Sequence, residues 1–205
     1  MNMAQRERQA LVQAMAEAGP DAPTLCGEWT ARDLAAHLVV RERRPDAAPG
    51  ILLEPFAPYL DRVQRKVTKR PFAQLLDEVR SGPPFYLRPV DALMNTTEMF
   101  VHHEDVRRGA PGWEPRTLSA ADEDRLWKVL TGVARMAYRK SPITIALATP
   151  DGRRTVARQA GDRTVVLAGP PSELLLHAFG RNAVRLEATG APEDVELVHA
   201  LDRSV

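Results

Sequence analysis

The chain has 205 residues, 44% of them hydrophobic and 27% charged, with 28 Lys and Arg against 27 Asp and Glu. That length can bury a sizeable core, and a net charge of +1 gives no global pull toward nucleic acid or an anionic membrane. The single cysteine, Cys26, excludes an internal disulfide scaffold. The charged, amphipathic start lacks the apolar run of a signal peptide, and no segment approaches the ~20 apolar residues of a membrane span, so the cytoplasm is the expected compartment.

Leu11, Val12, Met15 and Ala18 fall near helical spacing, which predicts a helix over 4–18 with Arg6, Glu7 and Arg8 at solvated positions. Gly19-Pro20 ends it, and the loop DAPTLCGEWT follows. Thr30 stands three residues before Asp33 in a capping-box arrangement, so a second helix should run over about 31–44, with Leu34, Ala35, Leu38 and Val39 on its apolar stripe. Residues 45–58, with four prolines and a glycine, read as a connection. Helical stretches are expected at about 59–69 and 71–79, with Gly82-Pro83-Pro84 as a break.

Residues 90–108 contain neither Pro (after Pro89) nor Gly and should form the next helix, stopped by Gly109 and Pro111. Ser119 with Asp122 caps a long helix reaching about Arg139, whose stripe is Leu126, Val129, Leu130, Val133 and Met136. After Ser141-Pro142 the period changes to alternation. ITIALAT, RRTVARQ, RTVVLAG and VRLEATG read as strands, residues 170–181 as a helix and 192–204 as a closing helix. The pattern divides the chain into a helical bundle over 1–140 and a small α+β domain over 141–205.

The chemistry concentrates in Glu98-Met99-Phe100-Val101-His102-His103-Glu104-Asp105. On a helix Glu98, His102 and Asp105 are spaced i, i+4, i+7 and share a face, whereas His103 points away from it. A carboxylate and an imidazole suit zinc or another borderline divalent ion, but a third ligand has to come from another helix. His37, in the middle of a largely apolar helix, is the natural source. Three protein ligands leave a coordination position open, the arrangement of a catalytic zinc. Asp105, or failing that Glu104, can take the proton of the second imidazole nitrogen. Asp33 is a cap by its spacing. A fourth position filled by Asp33 or Asp105 would instead favour a closed, non-catalytic site. Trp29, Trp113 and Trp127 are assigned to packing, Cys26 to a small buried position, and the basic runs 41–44 and 62–70 to solvated faces. His177 and His199 are taken as structural or surface residues.

The string Gly27-Glu28-Trp29-Thr30-Ala31-Arg32-Asp33-Leu34-Ala35-Ala36-His37-Leu38 resembles the opening motif of the mycothiol-dependent maleylpyruvate isomerase family, an actinobacterial branch of the DinB-like metal-binding bundles. Glu98, His102 and Asp105 resemble that family's later E-x-x-x-H-x-x-D segment, and residues 169–181 are similar to part of its C-terminal domain. Glu28, between Gly27 and Trp29, is a small departure from the motif. The resemblance implies a four-helix DinB-like bundle followed by a sterol-carrier-like α+β domain, with zinc on His37, Glu98 and His102. It further implies mycothiol as a thiol cosubstrate and an electrophilic small-molecule substrate. Arg181 is a candidate substrate anion contact, although an arginine at a helix end also serves the helix dipole. Three classes of function follow: a metal- and thiol-dependent isomerase or S-transferase, a non-catalytic metal-binding or sensing protein, or a vestigial-site bundle used as a binding module. The chain is expected to be a monomer or a homodimer.

Overall fold

The computed structural model describes residues 1–47, 50, 53–84 and 94–203. Two compact units divide at Trp113/Glu114. The first holds α1 (Met3–Ala18), α2 (Ala31–Arg43), a 3-10 turn (Glu54–Phe56), α3 (Ala57–Thr68), α4 (Phe72–Ser81) and α5 (Met94–Arg107). Residues 90–93 of the helix expected over 90–108 lie outside the described residues, as do residues 48, 49, 51 and 52 of the expected connection. Among the described residues no helix is long and apolar enough to cross a membrane.

Local chemistry sets the ends of these helices. Thr30 and Asp33 form a complete capping box at the start of α2, each side chain accepting from the other's backbone N–H. α1 packs on α5 and α4, and α2 packs on α3 and α4. Leu11, Met15, Leu34, Leu38, Leu75 and Met99 lie in the resulting core.

α5 is buried over most of its circumference: Met99, Phe100 and Val101 are inside, and so are Thr97, His102, His103, Glu104 and Asp105. Buried polar groups cost stability unless they are paired, and the pairs are present. His103 Nδ1 lies 2.8 Å from Glu7 Oε2 on α1, and Arg108 Nε donates to Glu104 Oε2 at 2.6 Å. Glu7 and Arg8 therefore do not stand at solvated positions. Glu7 meets His103, while Arg8 donates to the Glu42 carboxylate and to the Val79 carbonyl, linking α1, α2 and α4.

The second unit contains α6 (Ala120–Ala137), β1 (Thr144–Ala148), β2 (Arg154–Arg158), β3 (Thr164–Ala168), α7 (Pro171–Ala178), β4 (Glu187–Thr189) and α8 (Pro192–Ala200). The sheet order is β2-β1-β3-β4, with β1 antiparallel to β2, parallel to β3, and β3 antiparallel to β4. α6 packs on α7 and β2, so by packing it goes with the sheet, whereas its sequence period groups it with the preceding helices. Its buried stripe is Leu126, Leu130, Ala134 and Ala137, while Met136 is 54% exposed. The C-terminal helix is shorter than the expected 192–204, ending at Ala200, and residue 204 lies outside the described residues.

Inside this unit His177 is buried, with its Nδ1 2.7 Å from the Tyr138 hydroxyl and its Nε2 without a hydrogen-bond partner among the described residues. Burial, reinforced by the charges of Arg203 and His199, pushes its pKa down to about 3. The unfolded chain takes up a proton at this residue below about pH 6.5, while the folded unit resists doing so until about pH 3. The group's contribution to stability is therefore complete above pH 6.5 and is lost as the pH falls toward 3, at up to about 1.4 kcal/mol per pH unit. A His177→Leu/Tyr138→Phe variant is expected to lose less stability than wild type between pH 7 and pH 4.5. Amide hydrogen exchange of α7 at the two pH values measures the difference.

Candidate metal centre

His37 projects from the middle of α2, while Glu98 and His102 lie one turn apart on α5. The structure brings the three together as a group whose ligand atoms all lie within 4.8 Å of one another. His102 Nε2 is 3.3 Å and His37 Nε2 3.7 Å from the same oxygen, Glu98 Oε1. Two ligand atoms on a tetrahedral zinc, each about 2.0–2.1 Å from the ion, stand about 3.3 Å apart. Donor types and spacing both fit a borderline divalent ion.

The other nitrogen of His102 is occupied. Its Nδ1 lies 2.8 Å from Asp105 Oδ2, which also accepts from the Cys26 thiol at 3.0 Å. Asp105 is fully buried and faces Nδ1, so it fixes the ring while Nε2 faces Glu98 and His37. Asp33 is engaged in the Thr30 capping box, and Glu104 in Arg107 and Arg108. Neither Asp33 nor Asp105 belongs to the His37–Glu98–His102 group.

Burial opposes ionisation of Glu98, but hydrogen bonds from His102 and His37 and the charges of His102 and Arg41 outweigh it and hold its carboxyl well below the usual carboxylate range. For His102 burial again acts against the charged form. Hydrogen bonds to Asp105, Cys26 and Glu98 prevail and raise its pKa well above the ordinary value.

Three contributors to this site were not assigned to it from the sequence. Cys26 is only partly buried and its sulfur lies 3.7 Å from His102 Nδ1, so it forms a second potential donor group with His102 and Asp105. Trp29 does not pack beneath the bundle. It is 38% exposed, with its ring centroid 5.1 Å from that of His37. Arg41, assigned to a solvated face, has its Nε 3.2 Å from Glu98 Oε1. For Arg41 a signal was available, since it follows His37 by four residues and shares its helix face.

The loop that carries Cys26 and Trp29 is tied down at several points. Leu25 N–H donates to the Asp105 carbonyl at 3.0 Å, and Pro23 bridges to Thr30. Gly109 makes the approach possible: a Cβ there would stand 2.1 Å from the Pro23 carbonyl oxygen. Of the other tryptophans, Trp113 lies under Arg108 and Trp127 under Arg153, at 4.6 Å and 5.4 Å from guanidinium carbon to ring centroid.

Arg181 belongs to the second unit. It donates to the Phe179 carbonyl at 2.6 Å and lines a cavity of about 390 Å³ with Phe179, Asn182, Leu201 and Arg203.

The first unit is thus a helical domain with a candidate divalent-metal centre shared by two helices. Residues 3–82 match the family model of the mycothiol maleylpyruvate isomerase N-terminal domain. The matched region contains His37 and ends before α5, which supplies Glu98 and His102. No curated protein and no solved structure matches the chain.

Proposed function

We propose that the protein is a divalent-metal-dependent thiol enzyme, a mycothiol-using isomerase or S-transferase, with His37, Glu98 and His102 as the metal ligands and zinc as the metal. The observation that carries this reading is the convergence of two imidazole nitrogens and a carboxylate oxygen at ligand spacing. The family match over residues 3–82 supports the thiol chemistry. The reading also takes the helical unit as a four-helix DinB-type bundle and the α+β unit as sterol-carrier-like.

A metal ion bound there supplies the Lewis acidity that keeps a coordinated thiol as its thiolate. This chain's residues supply the rest. Asp105 holds the proton on His102 Nδ1 and leaves the Nε2 lone pair for the ion. Glu98 is held ionised. The exposed indole of Trp29 forms a wall beside His37. A thiolate sulfur that bonds to one carbon of an electrophilic double bond leaves a single bond free to rotate. The displaced π pair passes to the conjugated carbonyl as an enolate; its return expels the thiolate and gives an isomerase, whereas delivery to the enolate carbon of the proton the thiol gave up keeps the C–S bond and gives a transferase. The engagement of Asp33 and Asp105 elsewhere favours an open site over a closed metal-sensing one.

The test uses the full chain purified without a nickel column. About one zinc ion per chain is expected by mass spectrometry. The zinc-loaded protein is expected to accelerate addition of mycothiol to an unsaturated dicarboxylate by at least 10²-fold over zinc and thiol alone, consistent with the contribution of a positioned nucleophile. A chain that remains zinc-free after incubation would sink the proposal.

A further inference from the structure

Three nitrogen atoms face one carboxylate oxygen. His102 Nε2, His37 Nε2 and Arg41 Nε stand 3.3, 3.7 and 3.2 Å from Glu98 Oε1. The Arg41 side chain is 17% exposed and that of Glu98 24%, so water screens this pair only in part. A guanidinium keeps its charge at every working pH, and α2 presents it one turn after His37, on the same face.

We propose that Arg41 is an internal counter-cation for Glu98 which competes with the bound metal ion and sets its affinity. The inference rests on the metal-site reading above. In the structure the Arg41 guanidinium stands beside the Glu98 oxygen that both imidazoles face. An incoming divalent ion has either to displace the guanidinium or to sit beside a like charge, and both weaken binding. The opposing role, in which Arg41 only holds the Glu98 side chain in a binding conformation, predicts the reverse sign, because its removal would then loosen a ligand.

The experiment is a zinc titration of the metal-free full chain against a chromophoric chelator, for wild type, Arg41→Leu, Arg41→Gln and Arg41→Lys. Both neutral variants are expected to bind zinc at least tenfold tighter than wild type, and Arg41→Lys, which keeps the charge, within about threefold of it. Arg41→Gln supplies the answer if Arg41→Leu does not fold. Neutral variants with unchanged or weaker affinity overturn the proposal while leaving the metal site intact. Absence of zinc binding in wild type and in every variant overturns the metal-site reading itself. Zinc binding by the neutral variants alone upholds the competition by Arg41 and overturns the reading of the wild-type chain as a zinc enzyme.

Discussion

His102→Ala is expected to abolish metal binding, and His103→Ala to leave the metal content at about one ion per chain. The two histidines are neighbours in sequence but serve different parts of the unit. His102 Nε2 faces Glu98 and His37, and its Nδ1 faces Asp105. His103 Nδ1 lies 2.8 Å from Glu7 Oε2 on α1. Loss of an orienting partner alone typically costs 10–100-fold in metal affinity, and loss of a ligand costs more. His103→Ala instead removes a buried hydrogen-bond partner of Glu7, an expected loss of about 1–3 kcal/mol in stability. Metal content by mass spectrometry and the urea midpoint, measured on both variants, should move in opposite columns: metal for His102→Ala, stability for His103→Ala. Loss of metal from both would mean that the helical-face argument does not separate the two residues.

Glu42→Leu is expected to destabilise the first unit by about 3–5 kcal/mol, because it leaves the Arg8 guanidinium buried without its counter-charge. Arg8 is 8% and Glu42 5% exposed, and the Val79 carbonyl that Arg8 also holds offers no negative charge to replace the carboxylate. The Arg8→Met/Glu42→Leu double variant, which removes both charges, is expected to recover most of that loss, as buried ion pairs often exchange for apolar packing at little cost. Urea unfolding of wild type, the single variant and the double variant measures the difference. A double variant no more stable than the single would show that the Arg8–Val79 hydrogen bond and the packing of the Arg8 stem dominate.

The helices were legible because their ends are written in local chemistry. Thr30 with Asp33 and Ser119 with Asp122 cap α2 and α6 through residues three apart, and such contacts are independent of the rest of the fold. The shared face of Glu98, His102 and Asp105 follows from helical period alone. Period does not say what a face packs against. The stripe on α6 announced a buried side, but not that α7 and β2 cover it. The partner of His103 stands 96 residues away, and burial of Glu7 and Arg8 depends on partners on α5 and α2 that no local pattern specifies. Cys26 and Trp29 lie on a loop whose path is set by its docking on α5, so their place at the site is a tertiary fact. The charged run at 41–44 looked like a solvated face because composition cannot show that one of its arginines turns toward a carboxylate on another helix.

Position 109 records such a tertiary fact in a different form. Gly109 gives no atom to the candidate chemistry, yet the Pro23 carbonyl occupies the space its side chain would need. What fixes the rim of the centre is in part the lack of a side chain, and that lack can be read in the sequence only as a helix stop. A change there would shift the ground on which Cys26 and Trp29 stand without touching either. Evolution or design that reshapes this rim works within a boundary condition: the loop can vary in the side chains it offers, while its line of approach to α5 remains tied to a residue on the far side of the contact.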